Sequence, residues 1–162
     1  MKNALISKGL IIFLILILTL IPASCKKNYD VLPESISVLI DDYETSFDKG
    51  AFASWFQHGN GAGGILTWGL WISGNTMSLD SSIMITITSP YVIKAKTYNN
   101  VEIAYFLDMG SSHTSYITST ATVTITDYNF TYIKGTFSGI LKDNEGATKE
   151  FTGGAFYLNN SH

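Results

Sequence analysis

The 162-residue chain holds no arginine, three prolines and a single cysteine, Cys25. One cysteine cannot close an intrachain disulfide, so the fold must rest on its own core, and a leftover cysteine calls for a separate explanation. All positive side-chain charge is lysine. It clusters nowhere beyond Lys26-Lys27, which argues against a nucleic-acid binder, because phosphate contacts need clustered Lys and Arg. After Cys25 no segment repeats apolar residues at a sustained helical period, which excludes a helical bundle and a doubly wound α/β fold. The nearest approach is a short helical turn over Asp48–Phe56, weakened by Gly50.

What is present begins with Leu10–Ile21, an apolar run broken only by Thr19, preceded by Lys2 and Lys8 and followed by Pro22-Ala23-Ser24. A basic start, a short apolar run and a small-residue exit describe a secretory signal peptide. The run is short of the ~20 residues that a membrane-crossing helix needs. Ile21-Pro22-Ala23-Ser24-Cys25 resembles a bacterial lipobox, with Pro22 where that family commonly has leucine. The resemblance implies that residues 1–24 are a lipoprotein signal peptide. Cys25 then becomes the first mature residue, acylated and inserted in a membrane. An ordinary cleaved signal and an uncleaved N-terminal anchor are the competing readings. Lys26 stands where an inner-membrane retention aspartate would be, so the resemblance points to the outer membrane, with the body facing the periplasm or the exterior. Without Lys2 and Lys8, eight lysines face thirteen carboxylates, a mature net charge of −5.

Residues 25–35 read as a lipidated N-terminus and tether, and 36–159 as a single β domain. The domain is rich in Thr, Ile, Val, Tyr and Phe, which fit a pleated, half-buried surface. Ile83, Ile85 and Ile87 alternate with Met84, Thr86 and Thr88. Ala121, Val123 and Ile125 alternate with Thr120, Thr122, Thr124 and Thr126; Ile133, Gly135, Phe137, Gly139 and Leu141 share one face of what reads as the longest strand, Thr131–Leu141. Turns are expected at Asp41-Asp42, Gly74-Asn75, Asn99-Asn100, Asp127–Asn129 and Asp143–Gly146, with Tyr91–Ala95 prolonging a strand past Pro90. The spacing predicts an all-β antiparallel sandwich or partly closed barrel of about eight to ten strands.

Ile133–Gly139 (IKGTFSG), Asp143–Gly146 (DNEG) and Phe151–Phe156 (FTGGAF), behind the lipobox, together resemble a family of small secreted bacterial lipoproteins without assigned function. The resemblance spans Ser37 to Leu158, is strongest after Ala121, and implies fold and export but no catalytic residue.

Chemistry is sparse. Gly59–Gly64 spells G-x-G-x-x-G, yet Ile65–Ile72 after it reads as a strand, where a dinucleotide site needs a helix. Asp41, Asp42, Glu44 and Asp48, and separately Asp143, Asn144 and Glu145, read as solvated hairpins, with a calcium loop as the alternative; the spacing is not that of an EF-hand. His58, His113 and His162 are scattered, so no metal site and no cofactor are expected. Ser138 sits mid-strand, unlike the serine of a nucleophile elbow. No enzyme is expected. The better lead is aromatic: Phe52, Trp55, Phe56, Trp68 and Trp71 crowd into twenty residues. Trp55, Trp68 and Trp71 are the candidate ligand-binding residues, with core packing as the competing role. Trp68 and Leu70 share a face and Trp71 takes the other. The expected partners are a membrane through Cys25 and a glycan or envelope protein, either for a non-catalytic binding or structural lipoprotein or for a glycan-binding accessory module.

Overall fold

The computed structural model describes residues 33–59, 66–107 and 114–160; the expected signal peptide of residues 1–24, Cys25, Gly61–Gly64, His113 and His162 lie outside them. The described residues are all-β, with no helix. The strands are β1 (Ser35–Ile40), β2 (Tyr43–Ser46), β3 (Lys49–Gly59), β4 (Leu66–Asn75), β5 (Ser81–Ser89), β6 (Lys96–Leu107), β7 (Thr114–Tyr128), β8 (Tyr132–Lys142) and β9 (Thr148–Asn159). They form one antiparallel sheet in the order β2-β1-β9-β8-β7-β6-β5-β4-β3, curled into a half-barrel. It is a single sheet closing on itself, not two stacked ones.

The two-residue period decides the faces. Ile83, Ile85 and Ile87 of β5, Ala121, Val123 and Ile125 of β7, and Ile133, Phe137 and Leu141 of β8 all point into the curl and are buried. Each fully buried isoleucine stabilises by about 1.5–3 kcal/mol. Thr122, Thr124, Thr136 and Ser138 stand on the opposite face, where the register sets Thr124 beside Thr136 and Thr122 beside Ser138.

The curl is forced by connectivity. β2 lies at one edge of the sheet and β3 at the other, yet only Phe47 and Asp48 separate them. Three Cα–Cα steps span at most about 11 Å, so the two edges must meet there. Phe47 N donates to the Ile36 carbonyl (2.7 Å), and Ile36 N donates to Asp48 Oδ1 (3.2 Å). The Phe47 side chain is fully buried, its ring edge-on to Tyr105 at 6.0 Å. β4 passes so close that a Cβ at Gly74 would sit 2.2 Å from the Phe47 carbonyl oxygen, which only glycine avoids. A second junction forms at Asn160, bridged in parallel to Ala53 of β3. Its Oδ1 accepts from Trp55 Nε1 (2.6 Å), its Nδ2 donates to the Asn129 carbonyl (2.9 Å), and its backbone N donates to the Thr131 carbonyl (2.9 Å).

Several expected turns fall elsewhere. Asp41 and Asp42 do turn, both at positive φ (50° and 70°), as a tight two-residue hairpin requires. Gly146, at φ 90°, closes the β8–β9 loop, where Asp143 Oδ1 accepts from the backbone of Glu145 and Ala147. Gly74-Asn75 instead lies within β4, and the turn is Thr76–Asp80. Asn99-Asn100 is an irregularity inside β6, where the pairing shifts between Tyr98 and Val101 and Asn100 takes φ 57°. Asp48–Phe56 is not helical but runs into β3, and Tyr91–Ala95 is a loop. β7, with 15 residues, is longer than β8.

Replacing Phe47 by Ala is expected to lower unfolding free energy by about 3–5 kcal/mol, because a ring-sized void opens where the edges join. Ile140→Thr, on the exposed face of β8, should change it by no more than ~0.5 kcal/mol. Urea unfolding of both variants checks the contrast.

Candidate functional site

The inner face is occupied by Phe47, Tyr105, Phe137, Phe151 and Phe156 among the aliphatic side chains, so attention moves to the outer face and the ends. The three tryptophans separate by strand phase. On β4, Trp68, Leu70 and Ile72 alternate inward, and Trp68 packs half-buried against the core. On β3, Ala51 and Ala53 are buried, and Trp55 continues that inward series. It packs against Tyr128 at 5.0 Å, with its Nε1 on Asn160. Trp55 and Trp68 are thus core-facing. Trp71 is outward and 45% exposed.

Trp71 has company. Its ring lies 5.1 Å from that of Phe56, tilted by 49°. Phe56 pairs across the ladder with Gly69, and a Cβ there would fall 1.9 Å from Phe56 Cζ. The tip of the Phe56 ring therefore lies over Gly69, in space only glycine leaves free, and the ring tilts against Trp71. Phe52, 44% exposed, stands on the same face of β3 four residues earlier, about 13 Å along the strand. The register then sets Ser54, Trp71, Thr86 and Glu102 in one row across β3–β6. At about 4.8 Å per strand, the Thr86 hydroxyl and the Glu102 carboxylate flank the indole one and two strands away. The neighbouring row is Phe52, Ser73, Met84, Ala104 and Ile117. Phe52, Phe56 and Trp71 thus make an aromatic strip with polar groups to one side.

The other candidates do not converge. Among the described residues, no three His, Cys, Asp or Glu side chains are placed to hold a metal ion. Asp41 is held by Lys149 Nζ (2.6 Å) and by Glu150 N (2.9 Å), and Asp48 by Ile36 N and the Ser46 hydroxyl, while Asp42 and Glu44 do not join them. His58 is exposed near the end of β3, and Ser138 lies on the outer face of β8, lining a shallow depression of about 290 Å³ with Thr122, Thr124, Thr136 and Gly153.

The fold and its outer aromatic strip define an antiparallel curled-sheet protein with a candidate binding face. No family model, no curated protein and no solved structure matches the chain.

The lysine–carboxylate pair of the β1–β2 turn has a pH signature. The Lys149 ammonium and then the Glu150 amide hold the Asp41 carboxyl below its ordinary value of 3.8, and Asp41 holds Lys149 above 10.5. A lowered carboxyl pKa gives stability that is present above the unfolded value and lost as pH falls through the folded one. The raised lysine loses its share only as pH climbs through its folded value. Asp41→Asn keeps a residue tolerant of positive φ. It should lower stability near neutrality by under ~1 kcal/mol, as for other exposed pairs, with the curves of the two proteins converging as pH falls below the lowered value of the folded Asp41 carboxyl. Urea titrations between acid and neutral pH measure that convergence.

Proposed function

We propose that this chain is an exported lipoprotein, anchored in the cell envelope through acylated Cys25. Its β body is a non-catalytic binding module that takes glycans on the outer strip of Phe52, Phe56 and Trp71. The observation that carries the binding half is the strip itself: a half-exposed indole braced by a tilted phenyl ring, with a hydroxyl and a carboxylate in the indole's row. A sugar ring has apolar C–H faces and a polar hydroxyl rim. An aromatic face with hydrogen-bonding groups one and two strands away, about 5 and 10 Å, matches both. The envelope half rests on Leu10–Cys25 and on the resemblance to small secreted lipoproteins. A second reading, an envelope protein as partner, draws on the adjoining row, where Met84 and the 48% exposed Ile117 extend the apolar surface beyond what one sugar chain covers.

Calorimetric titration with cello-, chito- and malto-oligosaccharides tests the binding half. At least one series should bind, and Trp71→Ala should weaken it about tenfold, equivalent to 1.4 kcal/mol, with no change in the unfolding midpoint. If no series binds, the glycan reading falls and the protein-partner reading is left.

Intact mass of the native protein tests the anchor. The expected species is Cys25–His162 plus acyl chains, absent in Cys25→Ala. A mature chain without lipid would remove the lipoprotein reading.

A further inference from the structure

The two ends of the half-barrel differ in what they present. At one end β3, β5, β7 and β9 finish and β1, β4, β6 and β8 begin. The described loops there are 90–95 and 129–131, which hold Lys94 and no carboxylate. At the opposite end the described turns are 41–42, 76–80 and 143–147, which hold Asp41, Asp42, Asp80, Asp143 and Glu145; Lys49, Lys142 and Lys149 border them, Lys149 paired with Asp41.

Both loops of the first end display large apolar side chains at their tips. Tyr91 is 74% exposed, Val92 57% and Phe130 89%. These tips are braced. Ile93 is buried in the core, the Tyr98 hydroxyl accepts from Lys94 N and donates to the Lys94 carbonyl, and Tyr91 N donates to Ser89 Oγ. In the second loop Asn129 Oδ1 accepts from the backbone of Thr131 and Tyr132, and Asn160 Nδ2 clamps the Asn129 carbonyl. The backbone is therefore pinned on both sides of side chains aimed at solvent. Lys94, Lys96 and Lys134 ring this end. Among the described residues its carboxylates are engaged: Asp127 with the Tyr132 hydroxyl and Lys134, and Glu34 with Asn159 N.

The polypeptide also enters the sheet here, since Ser35 pairs with Tyr157 and Glu34 reaches Asn159. Eight residues lead from Cys25 to Pro33, a reach of at most about 30 Å.

We infer that this end is a membrane-docking face. Tyr91, Val92 and Phe130 enter the headgroup layer of the bilayer that holds Cys25, and Lys94 and Lys96 lie against its anionic lipids. Aromatic side chains settle at the membrane–water interface, and lysines near it are attracted to an anionic surface. Once acyl chains hold the protein at the surface, these contacts need only orient it, because the local concentration is already high. Met77 and Leu79 are exposed at the opposite end, but they share their turn with Asp80 and their end with four more carboxylates, which an anionic surface repels.

The inference rests on the acylated Cys25 of the proposed function, and the test separates the two. The full chain is placed in phosphatidylethanolamine–phosphatidylglycerol vesicles carrying brominated acyl chains, and its intact mass is taken from the same sample. Tyr91→Trp, Phe130→Trp and Met77→Trp add a reporter at exposed positions, read against the parent fluorescence. The reporters at 91 and 130 should be quenched by about half and the one at 77 left unquenched, as expected for interfacial aromatics. Equal quenching at all three, quenching at 77 alone, or none would overturn the docking face. An acylated chain without quenching at 91 and 130 overturns the docking and keeps the anchor. An unacylated chain with that quenching keeps the docking and removes the anchor. As a second readout, Tyr91→Ser with Phe130→Ser on a Cys25→Ser background should lower vesicle partition several-fold at an unchanged urea midpoint; unchanged partition also overturns the docking.

Discussion

Two residues between β2 and β3 determine the shape of this protein. Phe47 and Asp48 connect strands at opposite edges of the sheet, so the sheet cannot stay open. An open sheet leaves two rows of unpaired backbone groups, a standing risk of edge-to-edge association. Here the chain joins its own edges, and other features follow from that. Gly74 must lack a side chain because β4 runs against the Phe47 carbonyl. Gly50 takes φ 62° where the chain resumes pairing as β3, and the β3–β4 register is irregular between Lys49 and Phe52. Asn160 performs the corresponding task further along β3, tying that strand to the β7–β8 turn through three hydrogen bonds and a parallel bridge.

Curling the sheet assigns the two faces different work. The inner face is taken up by isoleucine, valine, leucine and phenylalanine packed side to side. The outer face of β7 and β8 carries Thr122, Thr124, Thr136 and Ser138 at its middle, with Ile117, Lys134 and Ile140 elsewhere on it; such β-branched and small side chains suit a pleated surface, and hydroxyls pair across strands, as Thr97 does with Thr124 at 3.0 Å. Against that hydroxyl surface, the cluster of Phe52, Phe56 and Trp71 is a local departure. Gly69 sharpens it: a larger residue there would lift Phe56 off the sheet and remove the brace beside Trp71.

The strand faces were legible wherever alternation was clean, as in Ile83–Ile87, Ala121–Ile125 and Ile133–Leu141, because burial on one side imposes a period of two. What misled was turn chemistry spent on other purposes. Gly74 resembles a turn residue but answers a backbone contact from a segment 27 positions away, and Asn100 supplies positive φ to a bulge inside β6. The aromatic stretch stood out, but its phase did not. Asp48–Phe56 suggested a weak helix, and only as a strand does it sort into Ala51, Ala53 and Trp55 inward and Phe52 and Phe56 outward. Trp55 and Trp68 then belong to the interior side, and Phe52 and Phe56 take their places beside Trp71. The bracing of the Phe130 loop joins Asn129 and Asn160, 31 positions apart, and no local pattern announces it.

The aromatic strip and the apolar, lysine-bearing end occupy different parts of the surface, and that separation matters for how they could work together. The strip runs along the outside wall of β3 and β4, whereas Tyr91, Val92 and Phe130 cap one end of the strands. If the capped end rests on a bilayer, the strands stand away from the membrane and the wall stays open to the side, where an extended polymer lying along the envelope would meet it. The carboxylate-rich end then faces outward, away from anionic headgroups. If instead the strip lay against lipid, Trp71 would be covered and Glu102 in the same row would have to leave water unpaired, which a carboxylate resists strongly. The charge on the wall and at the two ends therefore fits the proposed docking, in which the end where Ser35 enters the sheet faces the membrane and the wall remains free to bind.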